Sequence, residues 1–188
     1  MAPDTIEDVI LRRGSSRRFR RDPIGRDQLD AILQAGSQPI PADWGPPLNE
    51  LYLIVHAVDG LPSGSYYYAA SERRLDLLGE GDFRRQAAYL GLEQDLPGDA
   101  AAAVFFLAPL DPILARLGNR GYRAVQLEAG LMGGRMYLAA YAQRLGATGL
   151  TFYDDDVAAF FAPHAAGKSA IFLMALGHPG ARPGQRHA

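Results

Sequence analysis

The sequence predicts one α+β domain spanning residues 1–188. Three observations carry that expectation. Strand-like and helix-like segments intermix without a regular βαβ rhythm, which disfavours an all-parallel sheet. Ala102–Ala108 is an unbroken apolar run, the mark of a buried strand. Tyr122–Leu145 is a long helical segment that is apolar on more than one side, and such a helix is buried on more than one side. The length suits a single core, at ~100–200 residues per domain.

In chain order, Thr5–Arg13 reads as a helix. Asp4 or Thr5 can cap it, with Glu7 three residues after Asp4 as a capping-box partner, and Gly14 suits the stop. The next ten residues are irregular and arginine-rich. Arg26–Ala35 follows as a second helix, with Leu29, Ile32 and Leu33 on one face. Ser37–Pro47 is a long proline-rich loop holding the only tryptophan, Trp44. Leu51–Val58 is a strand by its β-branched and aromatic content, closed by Asp59-Gly60. Ser65–Tyr68 and Arg74–Leu78 form a hairpin, in which Tyr66, Tyr67 and Tyr68 alternate as ordinary strand residues. Asp82–Leu92 and Pro112–Leu117 are helical. Tyr122–Leu145 would span on the order of 36 Å at ~1.5 Å per residue. Its apolar positions form two stripes, Tyr122, Val125, Ala129, Met136 and Leu127, Leu131, Leu138, Leu145. Gly130, Gly133 and Gly134 interrupt it, each costing up to ~1 kcal/mol against alanine, so something is expected to approach closely there. Leu150–Phe152 is a short strand, Asp154–Phe161 a helix capped by its own aspartates, and Ala170–Ala175 a final buried strand.

Composition removes several function classes. A 48% apolar content and a net charge of −2 exclude disorder for most of the chain. The same near-neutral balance argues against a general nucleic-acid binder. The longest stretch free of Asp, Glu, Lys and Arg is Ser169–Ala181. It falls short of the ~20 residues of a membrane span, and it contains His178 and Pro179. The absence of cysteine excludes disulfides and thiol chemistry. Met1–Asp8 has no apolar stretch of the secretory kind, and a cytoplasmic location is expected.

Two segments carry candidate chemistry. Arg12-Arg13-Gly14-Ser15-Ser16-Arg17-Arg18 offers four guanidiniums, two hydroxyls and a glycine turn beside a helix end. Arginine binds phosphate through parallel charge-assisted bonds, and loop amides and hydroxyls can complete the cradle. From composition alone, a solvated basic loop or an RNA contact is the plainer reading of the same residues. Gly146-Ala147-Thr148-Gly149-Leu150-Thr151 reads either as a plain helix stop or as backbone placed against a flat ligand. Asp154-Asp155-Asp156 suits a helix start better than a metal, because three consecutive acids cannot all face one ion.

Together these segments resemble a known family. Arg12 to Phe19, then Pro23-Ile24 and a short helix, resembles the opening of the nitroreductase family of flavoproteins. Arg120-Gly121-Tyr122-Arg123, followed by Gln126-Leu127-Glu128-Ala129-Gly130, looks like its SagB/ThcOx-type dehydrogenase branch. The run Leu145–Asp155 is similar to that branch's flavin-contacting segment, and Leu176-Gly177-His178-Pro179 also fits. The resemblance implies a nitroreductase-like fold: a central antiparallel or mixed sheet flanked by helices, with Tyr122–Leu145 at the heart of a homodimer sharing two flavins. It implies FMN as cofactor, with no catalytic side chain, and ping-pong hydride transfer from NADH or NADPH to a small-molecule acceptor. Arg13 and Ser15 would hold the phosphate, Gly14 would supply backbone, and Arg17 would lie toward the ribityl and pyrimidine end. Thr148, Gly149 and Leu150 would line the ring near N5, and Asn49 would match the polar contact to the pyrimidine edge. Arg182 or Arg186 would be the counterpart of a C-terminal phosphate ligand. Two segments depart from the branch. Arg116-Leu117 stands where azole-forming members carry Lys-Tyr, and Pro39–Trp44 replaces a Pro-Ser-x-Gly loop. These departures keep open a catalytically silent flavin-binding protein, or a partner of a peptide-modifying complex. Nucleic-acid binding rests only on the six arginines in positions 12–21.

Overall fold

The computed structural model describes residues 4–181. A seven-stranded sheet runs in the order β1 (Phe19–Arg20), β7 (Ser169–Pro179), β5 (Ala102–Ala108), β2 (Glu50–Val55), β3 (Gly64–Ala69), β4 (Arg74–Glu80), and β6 (Gly146–Leu150) also pairs with β7. Every ladder between these strands is antiparallel. The sheet is therefore antiparallel and not mixed.

Strand β5 has the expected bounds, and all seven of its residues are buried. The pleat sends alternate side chains to opposite faces. Val104, Phe106 and Ala108 enter one core, and Ala103, Phe105 and Leu107 enter the other. Tyr66 and Tyr68 turn to the first core and Tyr67 to the second, as the alternation predicts. The first core is roofed by α2 (Arg26–Gly36) and α6 (Arg120–Ala142), which bring Leu29, Ile32, Val125 and Met136. The second is roofed by α3 (Arg84–Leu90) and α7 (Asp154–Phe160), which bring Ala87, Leu90 and Val157. The remaining helices are α1 (Ile6–Arg12), α4 (Asp95–Asp99) and α5 (Leu110–Leu117).

Several expectations are corrected. Thr5, not Asp4, caps α1 and forms its box with Asp8. Asp4 instead bridges Arg12 at 2.7 Å and Arg144 at 2.9 Å. Helix α6 stops at Ala142, and Leu145 lies buried beyond a turn in which Arg144 adopts a φ of 63°. Tyr122 is half exposed and does not join the buried stripe of Val125, Ala129 and Met136. The strand expected at Leu150–Phe152 lies earlier, at Gly146–Leu150, because its residues pair with Leu173–Gly177 of β7. Tyr153 occupies the cap position of α7 without a side-chain cap bond, and Asp154, Asp155 and Asp156 form its first turn. Strand β1 and helix α4 were not expected, since two and five residues are too short for a readable period. Among the described residues, no helix is long and apolar enough to cross a membrane.

Candidate functional site

The arginine-rich loop leaves α1 and is stitched to the sheet by backbone. The Ser16 amide donates to the Ala147 carbonyl of β6 at 2.9 Å, and the Gly180 amide donates to the Arg18 carbonyl at 2.9 Å. A side chain at Gly146 would run into Ser16 Oγ, so the approach requires glycine there. Three of the six arginines are paired with carboxylates. Arg12 binds Asp4 and the Tyr141 carbonyl, Arg20 lies 3.2 Å from Asp22, and Arg21 lies 2.8 Å from Asp99. That pairing removes much of the basic surface on which the nucleic-acid reading rested. Arg13 and Arg17 are exposed and carry no ion pair among the described residues.

The centre of the site is Tyr137 of α6, a residue that sequence reading missed. The Gly149 amide donates to Tyr137 Oη at 2.5 Å. Ser15 Oγ lies 3.4 Å from the same hydroxyl, and the Arg13 guanidinium sits over the ring at 5.3 Å. One phenol thus gathers the Arg13–Ser15 loop and β6, both of which the sequence had singled out. Gly14 lies beside Tyr141, one turn further along α6. Arg13, Tyr137 and Phe172 border an open groove of about 410 Å³, whose α6 wall is Gly130, Gly133 and Gly134. A side chain at Gly149 would strike Phe172 at 2.8 Å, so backbone and ring lie close together there. Alternation along β6 turns Ala147 into the α6-side core and Leu150 into the opposite core. Thr148 shares the face of Leu150 and is buried. Only the backbone of Thr148 and Leu150 is therefore available on the groove side. A guanidinium at the mouth, a serine hydroxyl beside it and a stretch of wall made of glycine suit a flat ring with an anionic tail.

Asn49 is not brought to this groove. It is 6% exposed, and its Nδ2 donates to the Val125 carbonyl at 3.0 Å and to Glu128 Oε2 at 2.8 Å. Glu128 also accepts from the Leu48 and Asn49 amides, both at 2.8 Å, and from Trp44 Nε1 at 3.3 Å. Arg116 donates to the Trp44 carbonyl at 2.7 Å, so this departure from Lys-Tyr secures the loop. Glu128 was missed as a clamp. Its available signal was an acid between Val125 and Ala129, on the helix face that is otherwise apolar. Arg182 and Arg186 lie outside the described residues.

The nitroreductase family model matches residues 10–178. A Methanocaldococcus jannaschii protein named as a nitroreductase is 26% identical over 161 residues, which is 81% of each chain. An Anabaena variabilis structure, also named as a nitroreductase, is 31% identical and superposes with a TM-score of 0.84. The match covers 93% of this chain, which spans only 38% of the Anabaena chain. The NADPH:FMN oxidoreductase of Vibrio harveyi, solved with NAD+, shares the fold at 18% identity and a TM-score of 0.67, over 98% of this chain and 73% of that one.

Proposed function

Because the chain belongs to the nitroreductase family, we propose that it is an FMN-dependent oxidoreductase passing hydride from NADH or NADPH to a small-molecule acceptor in two half-reactions. The observation that carries the reading is the meeting of Arg13, Ser15 and Gly149 around Tyr137. The Vibrio harveyi neighbour, named for NADPH and FMN, supports the choice of cofactor and donor. Bound FMN supplies hydride acceptance and release at its ring N5. The chain supplies position and electrostatics. Arg13 holds the phosphate through its guanidinium fork, with the Ser15 hydroxyl and the Gly14 backbone beside it. Arg17 adds positive charge on the same loop. The backbone of Thr148, Gly149 and Leu150 lines the ring, and Tyr137 ties β6 to α6 by accepting the Gly149 N–H. Gly130 and Gly134, with nothing within 4 Å of an added side chain, leave room for a flat ring beside α6.

The active form is a homodimer. Leu127 and Leu131 of α6 are 56% and 42% exposed, and Ile6, Ile10 and Leu11 of α1 are exposed as well. A two-fold contact covers this face and brings the Ser37–Pro47 region of the partner subunit toward the groove. The motifs Arg120–Arg123 and Leu145–Asp155 support placement in the SagB/ThcOx-type branch. Arg116 is held by Trp44 and Leu117 cannot exchange a proton, which favours a silent flavin-binding protein as the second reading. A visible spectrum of the purified protein is the test. The expected result is a yellow protein that releases FMN and is bleached anaerobically by NADH or NADPH. A protein that stays colourless with excess FMN overturns both readings. A yellow protein that neither donor bleaches leaves only the second.

A further inference from the structure

Six of the exposed large apolar side chains lie on α1 and α6, and Leu77 stands alone on β4. The other three gather over the second core. They are Tyr89 of α3, Leu92 just beyond its end and Tyr153 at the start of α7, 43%, 37% and 37% exposed. Ala87, Leu90 and Val157 of the same two helices enter the core below. The patch therefore lies across the sheet from α6, and it shares no residue with the Tyr137 groove.

Backbone and ring contacts hold this surface together. The Tyr153 amide donates to the Leu90 carbonyl at 3.0 Å, and the Glu93 amide donates to the Tyr89 carbonyl at 3.2 Å. The Tyr89 and Tyr153 rings lie 5.2 Å apart, inclined at 38°. Leu92 and Glu93 both adopt a φ of 57°. That left-handed backbone is costly for a leucine, and here it leaves an apolar side chain at the surface within one turn of Tyr89.

The rim is negative. The Tyr89 hydroxyl donates to Asp156 at 2.8 Å, and this bond, with the charges of Asp156 and Glu93, raises the pKa of the phenol. Asp154 and Asp155 complete the first turn of α7, and Asp95 opens α4. None of these five carboxylates has an ion pair among the described residues. Of the cations on α3, Arg84 donates to the Gly98 and Ala100 carbonyls, and Arg85 lies one turn before Tyr89. Aromatic faces attract a cation, and carboxylates of complementary sign beside them select it.

We propose that this patch docks a cationic, partly apolar peptide segment of another protein, with an arginine or lysine over the Tyr89 and Tyr153 rings and an apolar neighbour against Leu92. A second copy is the poorer occupant. A two-fold contact puts the same patch on both sides and would set acid against acid. A stable dimer interface also takes roughly 20–30 residues a side, whereas the apolar part of this patch is three side chains. Nucleic acids and anionic lipid surfaces are repelled by the same charge. The assignment does not depend on flavin binding.

The probe is a fluorescein-labelled octapeptide of alternating arginine and leucine, with the matching glutamate–leucine peptide as control. Fluorescence anisotropy on the full chain reads both. The expected result is saturable binding of the basic peptide, with a Kd on the order of 100 μM or tighter at low salt, and none of the acidic one. Glu93→Gln with Asp156→Asn should weaken it about fivefold, while the asparagine can still accept from Tyr89. Asp27→Asn with Asp59→Asn, the same charge change at exposed acids elsewhere, should alter it by less than about twofold. Tyr89→Leu keeps apolar area but removes a ring, and should cost about threefold. Leu92→Asn suits the left-handed backbone, so it should weaken binding without lowering the melting temperature. Arg85→Gln should strengthen binding. No binding, equal binding of the two peptides, or equal effects of the two charge pairs would overturn the proposal. So would a smaller assembly of Tyr89→Leu in sedimentation, which would give the patch to a second copy.

Discussion

At Arg13 the guanidinium rests on the Tyr137 ring, and no carboxylate competes for its donors among the described residues. Arg13→Ala should therefore cost ~1.5–3 kcal/mol of FMN binding, roughly tenfold to a hundredfold in affinity. Lysine should rescue only part of it, because an ammonium has no planar fork. Fluorescence titration with FMN reads both variants, and unchanged affinity in Arg13→Ala would place the phosphate elsewhere. A different residue governs acid sensitivity. His56 is buried and donates from Nε2 to the Pro97 carbonyl at 3.1 Å. Burial, with Arg84 nearby, depresses its pKa to about 4. In the unfolded chain the ring titrates near ~6.5, so between the two values protons bind the unfolded state in preference. The stability that His56 contributes is whole above pH ~6.5 and is lost as pH falls toward 4, on the order of 3 kcal/mol in total. Urea unfolding at pH 7, 5.5 and 4 should show that slope, and His56→Gln should flatten it. A wild-type profile already flat over this range would contradict the assignment.

At the scale of elements, Glu128 joins α6 to the 44–49 loop through one carboxylate. Glu128→Ala would leave the buried Leu48 and Asn49 amides without an acceptor. With ~1–3 kcal/mol for each unsatisfied buried group, a loss of about 3 kcal/mol is expected in denaturant unfolding. A loss below about 1 kcal/mol would mean that the loop is held by other contacts. Gly130, Gly133 and Gly134 of α6 do not share one role. A side chain at Gly133 would meet Phe172 of its own protomer at 2.9 Å, whereas nothing lies within 4 Å of a side chain added at Gly130 or Gly134. Gly133 thus belongs to the internal packing of the groove, and the close approach expected there comes from the chain's own Phe172. Gly133→Leu should lower both melting temperature and FMN content, and a variant as stable and as yellow as the wild type would refute this.

For the whole molecule, the proposed dimer rests on the open face of α6 and α1. Leu127, Leu131 and Ile10 are exposed there, beside the unoccupied space at Gly130 and Gly134. Sedimentation at micromolar concentration should give a dimer. Gly134→Leu should shift it toward monomer while the far-UV circular dichroism stays unchanged, since the added side chain meets nothing in its own chain. A wild-type monomer that retains FMN would contradict the shared-seam arrangement.

Local order along the chain determined much of this protein. The apolar run at Ala102–Ala108, the faces of α2 and the alternation of Tyr66–Tyr68 depend on side-chain periodicity within a few residues. The Arg13–Arg17 loop and the Thr148–Leu150 segment were legible as motifs for the same reason. Tertiary structure alone decided how they meet. Ser15 and Tyr137 are 122 positions apart, and Asn49 and Glu128 are 79 apart. No period links such pairs. Tyr137 looks like one more aromatic in a helix until β6 brings the Gly149 amide to its hydroxyl. Asn49 reads as one polar residue of a loop until the fold turns its amide toward Val125 and Glu128, away from the Tyr137 groove of its own chain. Which glycines of α6 are open also depended on the fold, because Phe172 fills the space in front of one and leaves the other two uncovered.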